Sequence, residues 1–136
     1  MDYSRLIKEA VKAREFSYSP YSNFSVGAAL LAEDGRIFTG CNIECASSSP
    51  TACAERTAFF SAVSQGIKKF NAIAIVGGKT GEPLRDYCSP CGVCRQVMRE
   101  FCSPADFKII IAKSEEDYIV KTLEDLLPLG FGPENL

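Results

Sequence analysis

Three cysteines and one glutamate carry the most chemical information in this sequence. Cys53 precedes Glu55 by two residues, and Cys91 and Cys94 stand three apart behind Pro90. Three thiolates can share a tetrahedral zinc ion and leave its fourth position to water, the arrangement of a catalytic site. A fourth protein ligand would close the site and make it structural. A carboxylate next to such a water can carry its protons. Histidine is absent from the 136 residues, so acid–base work falls to carboxylates, thiols, lysines or a metal-bound water.

The elements that must position these groups are two helix starts. Ser89-Pro90 reads as an N-cap followed by proline at the first helical position, with a helix to about Phe101. Cys91 and Cys94 then share one face of its first turn. Thr51 can cap a second helix from about Ala52 to Gln65, stopped by Gly66, with Cys53 at its beginning. The positive end of each helix favours thiolate over thiol. Residues i and i+2 do not share a helical face, so Cys53 and Glu55 can meet one site only beyond the helix end.

The rest of the chain supplies a scaffold. Residues 2 to 16 form an expected amphipathic helix, with Leu6, Ile7, Ala10, Val11 and Arg14 near the helical repeat. Turn formers from Ser17 to Asn23 end it. Strands are expected at Phe24–Leu31 and Ile37–Ile43, joined by a hairpin through Asp34-Gly35. Buried strands are expected at Asn71–Val76 and Phe107–Ala112. The segment Gly77-Gly78-Lys79-Thr80-Gly81 reads as a loop; it lacks the glycine spacing of a phosphate loop. A hairpin strand at Tyr118–Thr122 and a short helical turn at Leu123–Leu127 complete the order α-β-β-α-β-α-β-β. That order implies a layered α/β domain with helices on the faces of a sheet.

Composition narrows the class. The length suits one domain, 1–136, with a real core. A hydrophobic fraction of 46% and a charged fraction of 24% are those of an ordinary globule. The net charge of −2 gives no reason to expect a nucleic-acid partner. No apolar run approaches the roughly 20 residues that span a bilayer, and no signal-peptide pattern opens the chain, so no membrane association is expected. Seven cysteines, an odd number, argue against a disulfide framework and for a reducing, cytoplasmic setting. Cys41, Cys45, Cys88 and Cys102 read as structural.

Four blocks in order resemble the zinc-dependent cytidine deaminases of the small, homotetrameric type. They are Asn23-Phe24-Ser25-Val26-Gly27-Ala28-Ala29-Leu30, Gly40-Cys41-Asn42-Ile43-Glu44, Cys53-Ala54-Glu55-Arg56-Thr57-Ala58 and Ser89-Pro90-Cys91-Gly92-Val93-Cys94-Arg95-Gln96. The resemblance runs along essentially the whole chain. It implies a three-layer cytidine deaminase-like α/β fold, a five-stranded mixed sheet flanked by helices. It implies one Zn2+ per subunit and hydrolytic conversion of cytidine or deoxycytidine to the uridine product with ammonia release, in pyrimidine salvage. Carried over residue by residue, Cys53, Cys91 and Cys94 hold zinc, and Glu55 takes the proton of the zinc-activated water and delivers protons to ring N3 and the leaving amine. Arg56 is the residue implied to donate to the thiolates. Asn42 and Glu44 are implied to bind the ribose 3′-hydroxyl, Phe24 to pack on the pyrimidine, and the backbone around Ala54 and Ser89 to meet the polar edge of the base. Phe131 matches a phenylalanine that enters a neighbouring subunit's site, which implies shared active sites in a homotetramer. The chain departs at Ser47-Ser48-Ser49-Pro50, where many relatives carry a tyrosine.

Three other readings share parts of this pattern. A deaminase of altered cytosine nucleosides, such as the blasticidin type, uses the same metal motifs; Asn42 with Glu44 favours the ribonucleoside. An editing deaminase acting on RNA or DNA would want a basic patch, against an isoelectric point near 5.2. A zinc-binding interaction domain without activity would want a fourth ligand, and only three strong ones stand in the sequence.

Overall fold

The computed structural model describes residues 2–136. In chain order it contains α1 (Ser4–Arg14), β1 (Phe24–Ala32), β2 (Ile37–Cys41), α2 (Ala54–Ser64), β3 (Phe70–Lys79), α3 (Gly92–Phe101), β4 (Lys108–Ala112), β5 (Tyr118–Thr122), α4 (Leu123–Leu126) and a 3-10 turn at Pro133–Asn135. The strands form one sheet in the order β2-β1-β3-β4-β5, in which β3 and β4 run parallel and the other neighbours antiparallel. This is the expected five-stranded mixed sheet.

Side-chain alternation with a period of two sorts the core into two halves. Ala28, Leu30 and Ala32 of β1, Ile73 and Ile75 of β3, and Ile109 and Ile111 of β4 pack with α2 and α3. Ala29 of β1, Ala72, Ala74 and Val76 of β3, and Ile110 and Ala112 of β4 pack with Leu6, Ile7 and Ala10 of α1. Helix, sheet and helix pair therefore make three layers. Between the sheet and the helix pair, Phe59 of α2 contacts Phe70, Phe101 and Phe107, with ring centroids 5.1 to 6.1 Å apart. Such contacts fix how α2 and α3 lie against each other.

Two glycines let the site-bearing segments approach the sheet. A Cβ on Gly40 would stand 2.4 Å from the carbonyl oxygen of Ala54, so glycine in β2 admits the first turn of α2. A Cβ on Gly77 would stand 2.7 Å from Cys88 Sγ. That close approach explains a difference from the sequence reading. Gly77-Gly78-Lys79 is not a loop but the end of β3, paired with Val26, Ser25 and Phe24 of β1. Gly77 is there for proximity, not for a turn.

Other boundaries shift as well. α1 is shorter than residues 2 to 16, and its buried face is Leu6, Ile7, Ala10 and Ala13, with Val11 more than a third exposed. Arg14 leaves that face and donates to the carbonyl oxygens of Ser25 and Lys79, tying α1 to β1 and β3. The expected stop at Gly66 holds: its φ is +86°, and the Gly66 and Ile67 amides donate to Val63 O and Ala62 O, a Schellman closure. Thr122 caps α4 with Asp125 in a reciprocal pair.

Candidate active site

Neither expected cap residue caps its helix. The N-cap of α2 is Cys53 and that of α3 is Cys91. Their ψ values of 157° and 167° are extended, so both cysteines sit half outside the helices that follow. The hydroxyls of Thr51 and Ser89 have other partners. Thr51 Oγ1 accepts from the Cys45 amide at 3.0 Å, and Ser89 Oγ accepts from Arg95 at 2.9 Å. The shift matters chemically. An N-cap side chain points past the helix end, where Cys53 can meet a group shared with Glu55, the second residue inside α2.

The three sulfurs converge. Cys53 Sγ lies 3.7 Å from Cys91 Sγ, and Cys91 Sγ lies 3.6 Å from Cys94 Sγ. All three fall within 4.8 Å of one another. Zinc–sulfur bonds of about 2.3 Å at tetrahedral angles put sulfurs about 3.8 Å apart, so the chain already holds the spacing that a bound zinc requires. Cys88 is outside this trio; burial, and then the charge of Glu55, pushes its thiol up to about 11 and keeps it neutral. The trio leaves a tetrahedral ion one open position, which a closed structural site would not.

Glu55 is 4% exposed. Burial pushes its carboxyl up to about 7, and the neighbouring Cys53 charge adds to the rise. A carboxyl so placed exchanges a proton near neutrality. Cys53 is driven the other way, to about 5, by hydrogen bonding with Cys94 and then with Arg56. Cys94 moves up, chiefly through that same contact with Cys53. A coordinating metal deprotonates such thiols outright.

Arg56 lies against the cysteine trio. Its Nη2 lies 3.4 Å from Cys53 Sγ and donates to Thr51 O at 3.3 Å. Three thiolates carry more negative charge than one zinc ion neutralises, and a guanidinium on one sulfur offsets part of the excess. Arg56→Gln is expected to keep the fold and weaken zinc binding about tenfold or more. Competition with a chromophoric chelator measures this, and an unchanged zinc affinity would refute it.

The remaining candidates come from β1, the segment after β2, the start of α2 and the C-terminal segment. Phe24 opens β1, and its ring edge lies 3.2 Å from where a Gly77 Cβ would stand. Ala54 is buried at the start of α2. Asn42 and Glu44 flank Ile43, which bridges to Tyr18 and Ala52, so the two side chains share a face. Phe131 is held by its backbone, whose carbonyl accepts from Gln96 Nε2 at 2.8 Å, and the residue is 56% exposed. Arg95 was not singled out in the sequence. It donates to Pro90 O, Ser89 Oγ and Leu126 O, and so fixes the turn that carries Cys91. Its signal is an arginine four residues after the cap cysteine, within reach of the carbonyls before the helix.

Three cysteines that could hold a metal ion, beside a buried carboxyl on a five-stranded three-layer α/β sheet, match the site of the zinc-dependent deaminase class. Comparison with known proteins agrees. Residues 1–110 match the model of the cytidine and deoxycytidylate deaminase zinc-binding region. The chain is 51% identical over 136 residues to a cytidine deaminase of Sporosarcina psychrophila, covering 100% of this chain and 96% of that one. It is 49% identical to one of Halalkalibacterium halodurans, covering 98% of it. The crystal structure of cytidine deaminase from Burkholderia pseudomallei superposes with a TM-score of 0.86 at 45% identity, over 96% of this chain and 100% of that one. The one from Mycobacterium tuberculosis gives 0.81 at 36% identity, over 97% and 98%. The chain belongs to the cytidine deaminase family.

Proposed function

We propose that the chain, acting as a single domain over 1–136, hydrolyses the exocyclic C–N bond of free cytidine and deoxycytidine. Water and nucleoside give uridine or deoxyuridine and ammonia. The observation that carries the reading is the buried Glu55 beside the trio of Cys53, Cys91 and Cys94. Zinc, one per subunit on those three sulfurs, would supply the acidification of a water. Glu55 accepts the two protons of that water in turn and delivers one to ring N3 and one to the departing amine, so no net proton is left on the enzyme. Phe24 packs against the pyrimidine, and the backbone at Ala54 and Ser89 meets its polar edge. Asn42 and Glu44 take the ribose 3′-hydroxyl. A site built around that hydroxyl disfavours free cytosine and 3′-linked polynucleotides.

The assembly belongs to the same proposal. Phe131, an exposed residue of this chain, enters a neighbouring subunit's site in a homotetramer. Exposed Phe16, Tyr18, Phe60 and Val93 support buried subunit contacts. Seven cysteines without a disulfide fit a cytoplasmic enzyme of pyrimidine salvage. Among the described residues no helix is long and apolar enough to cross a membrane.

Ultraviolet absorbance tests the reading. Zinc-loaded protein is expected to convert cytidine to uridine and to leave a cytidine-containing oligonucleotide unchanged. Conversion of the oligonucleotide instead would replace the nucleoside reading, and inertness toward cytidine at full zinc occupancy would overturn it.

A further inference from the structure

Asn42 and Glu44 are each reduced, by bonds within the chain, to a single free valence. Asn42 is 9% exposed. Its Oδ1 accepts from the Val26 amide at 2.9 Å and from Ser17 Oγ at 2.5 Å, which fills both lone pairs. One proton of Nδ2 goes to Phe24 O at 2.8 Å, and one N–H is left. Glu44 Oε1 accepts from the Tyr21 and Ser22 amides, both at 3.1 Å, and is likewise filled. Oε2 accepts from Ser22 Oγ at 2.5 Å and keeps one lone pair. These contacts also hold the Glu44 carboxyl below the usual range, so it remains an acceptor.

One donor and one acceptor, on neighbouring side chains of one face, match a single hydroxyl, which gives one proton and accepts another. We propose that Ser17 and Ser22 are specificity-determining positioning residues: they close the surplus acceptor valences of Asn42 and Glu44, so that the pair recognises one sugar hydroxyl and nothing with a different donor count. This rests on the nucleoside reading above.

Ser17 is braced in turn. Its hydroxyl lies 3.2 Å from Ser19 Oγ, which lies 3.2 Å from Ser25 Oγ and 3.3 Å from Thr80 Oγ1; Ser25 and Thr80 are 2.6 Å apart. Ser19 and Ser25 are buried. The cluster joins the loop after α1 to β1 and to the residue following β3, so the orientation of Asn42 depends on three segments of chain.

Steady-state kinetics on the zinc-loaded protein test the proposal, with cytidine and 3′-deoxycytidine as paired substrates. In Ser17→Ala the KM for cytidine is expected to rise about fivefold, the worth of one neutral hydrogen bond, with kcat little changed. The KM for 3′-deoxycytidine is expected to stay the same, so the preference for cytidine narrows by that factor, and Ser17→Thr restores it. Ser22→Ala narrows it in the same way and provides the reading if Ser17→Ala fails to fold. A penalty equal on both substrates overturns the proposal, because it would mark a purely structural role. A wild-type protein that deaminates both nucleosides equally well removes the hydroxyl subsite and this proposal with it, yet leaves the deaminase reading standing. A wild-type protein inert toward both removes the deaminase reading itself.

Discussion

Glu55→Gln is expected to lower kcat for cytidine by about 10³-fold, with zinc content and fold intact. The carboxyl lies almost wholly out of water, two residues beyond the cap cysteine of α2. Glutamine has nearly the same shape but can neither accept nor return a proton, so the exchange proposed for this residue stops while the packing stays. The substitution also removes an ionisable group from an apolar surrounding, where charge is costly. The melting temperature should therefore hold or rise. Loss of activity with a lowered melting temperature would point to damage rather than chemistry. Retained activity would exclude Glu55 as the proton carrier. Uridine formation, zinc analysis and a thermal melt on the same preparation separate these outcomes.

Cys91→Ala is expected to abolish activity and bound zinc together. The residue is the middle of the trio, within 3.7 Å of each of the other two sulfurs, so its loss leaves two ligands instead of three. A ligand that binds only the folded state stabilises it by about 4 kcal/mol when present at a thousand times its dissociation constant. For a domain of this size that corresponds to a melting temperature about 14 °C higher. Stripping the wild-type protein with a chelator should lower the melting temperature by about that amount, and added zinc should restore it together with activity. The same treatment should leave Cys91→Ala unmoved. A wild-type protein whose melting and activity ignore the chelator would not use this trio as a metal site.

The chemistry of this protein is legible in the sequence because it depends on residue types at short spacing. Cys53 with Glu55, and Cys91 with Cys94, are local patterns, and local patterns survive without knowledge of the fold. The strands of the layered domain are legible for the same reason: their apolar runs and turns are set within a few residues, as at Phe24–Leu31 and the Asp34-Gly35 hairpin. The helix starts were misplaced by two residues because Thr51 and Ser89 are good caps in isolation. Their hydroxyls instead bond partners six residues away along the chain, Cys45 and Arg95, and the cap position falls to the cysteines. Gly77 and Gly78 suggest a turn by composition, but both pair with β1, and the approach of Cys88 accounts for glycine at 77. The free valences of Asn42 and Glu44 could not be counted from sequence at all. They depend on Ser17, Ser22, Phe24 and Val26, which lie 16 to 25 residues away along the chain and become neighbours only when β1 pairs with β2 and the loop after α1 bridges to Ile43 through Tyr18. Local propensity therefore determined which chemistry is possible. Long-range packing decided where the sulfurs point, how deep the carboxylate lies and which valences Asn42 and Glu44 keep free.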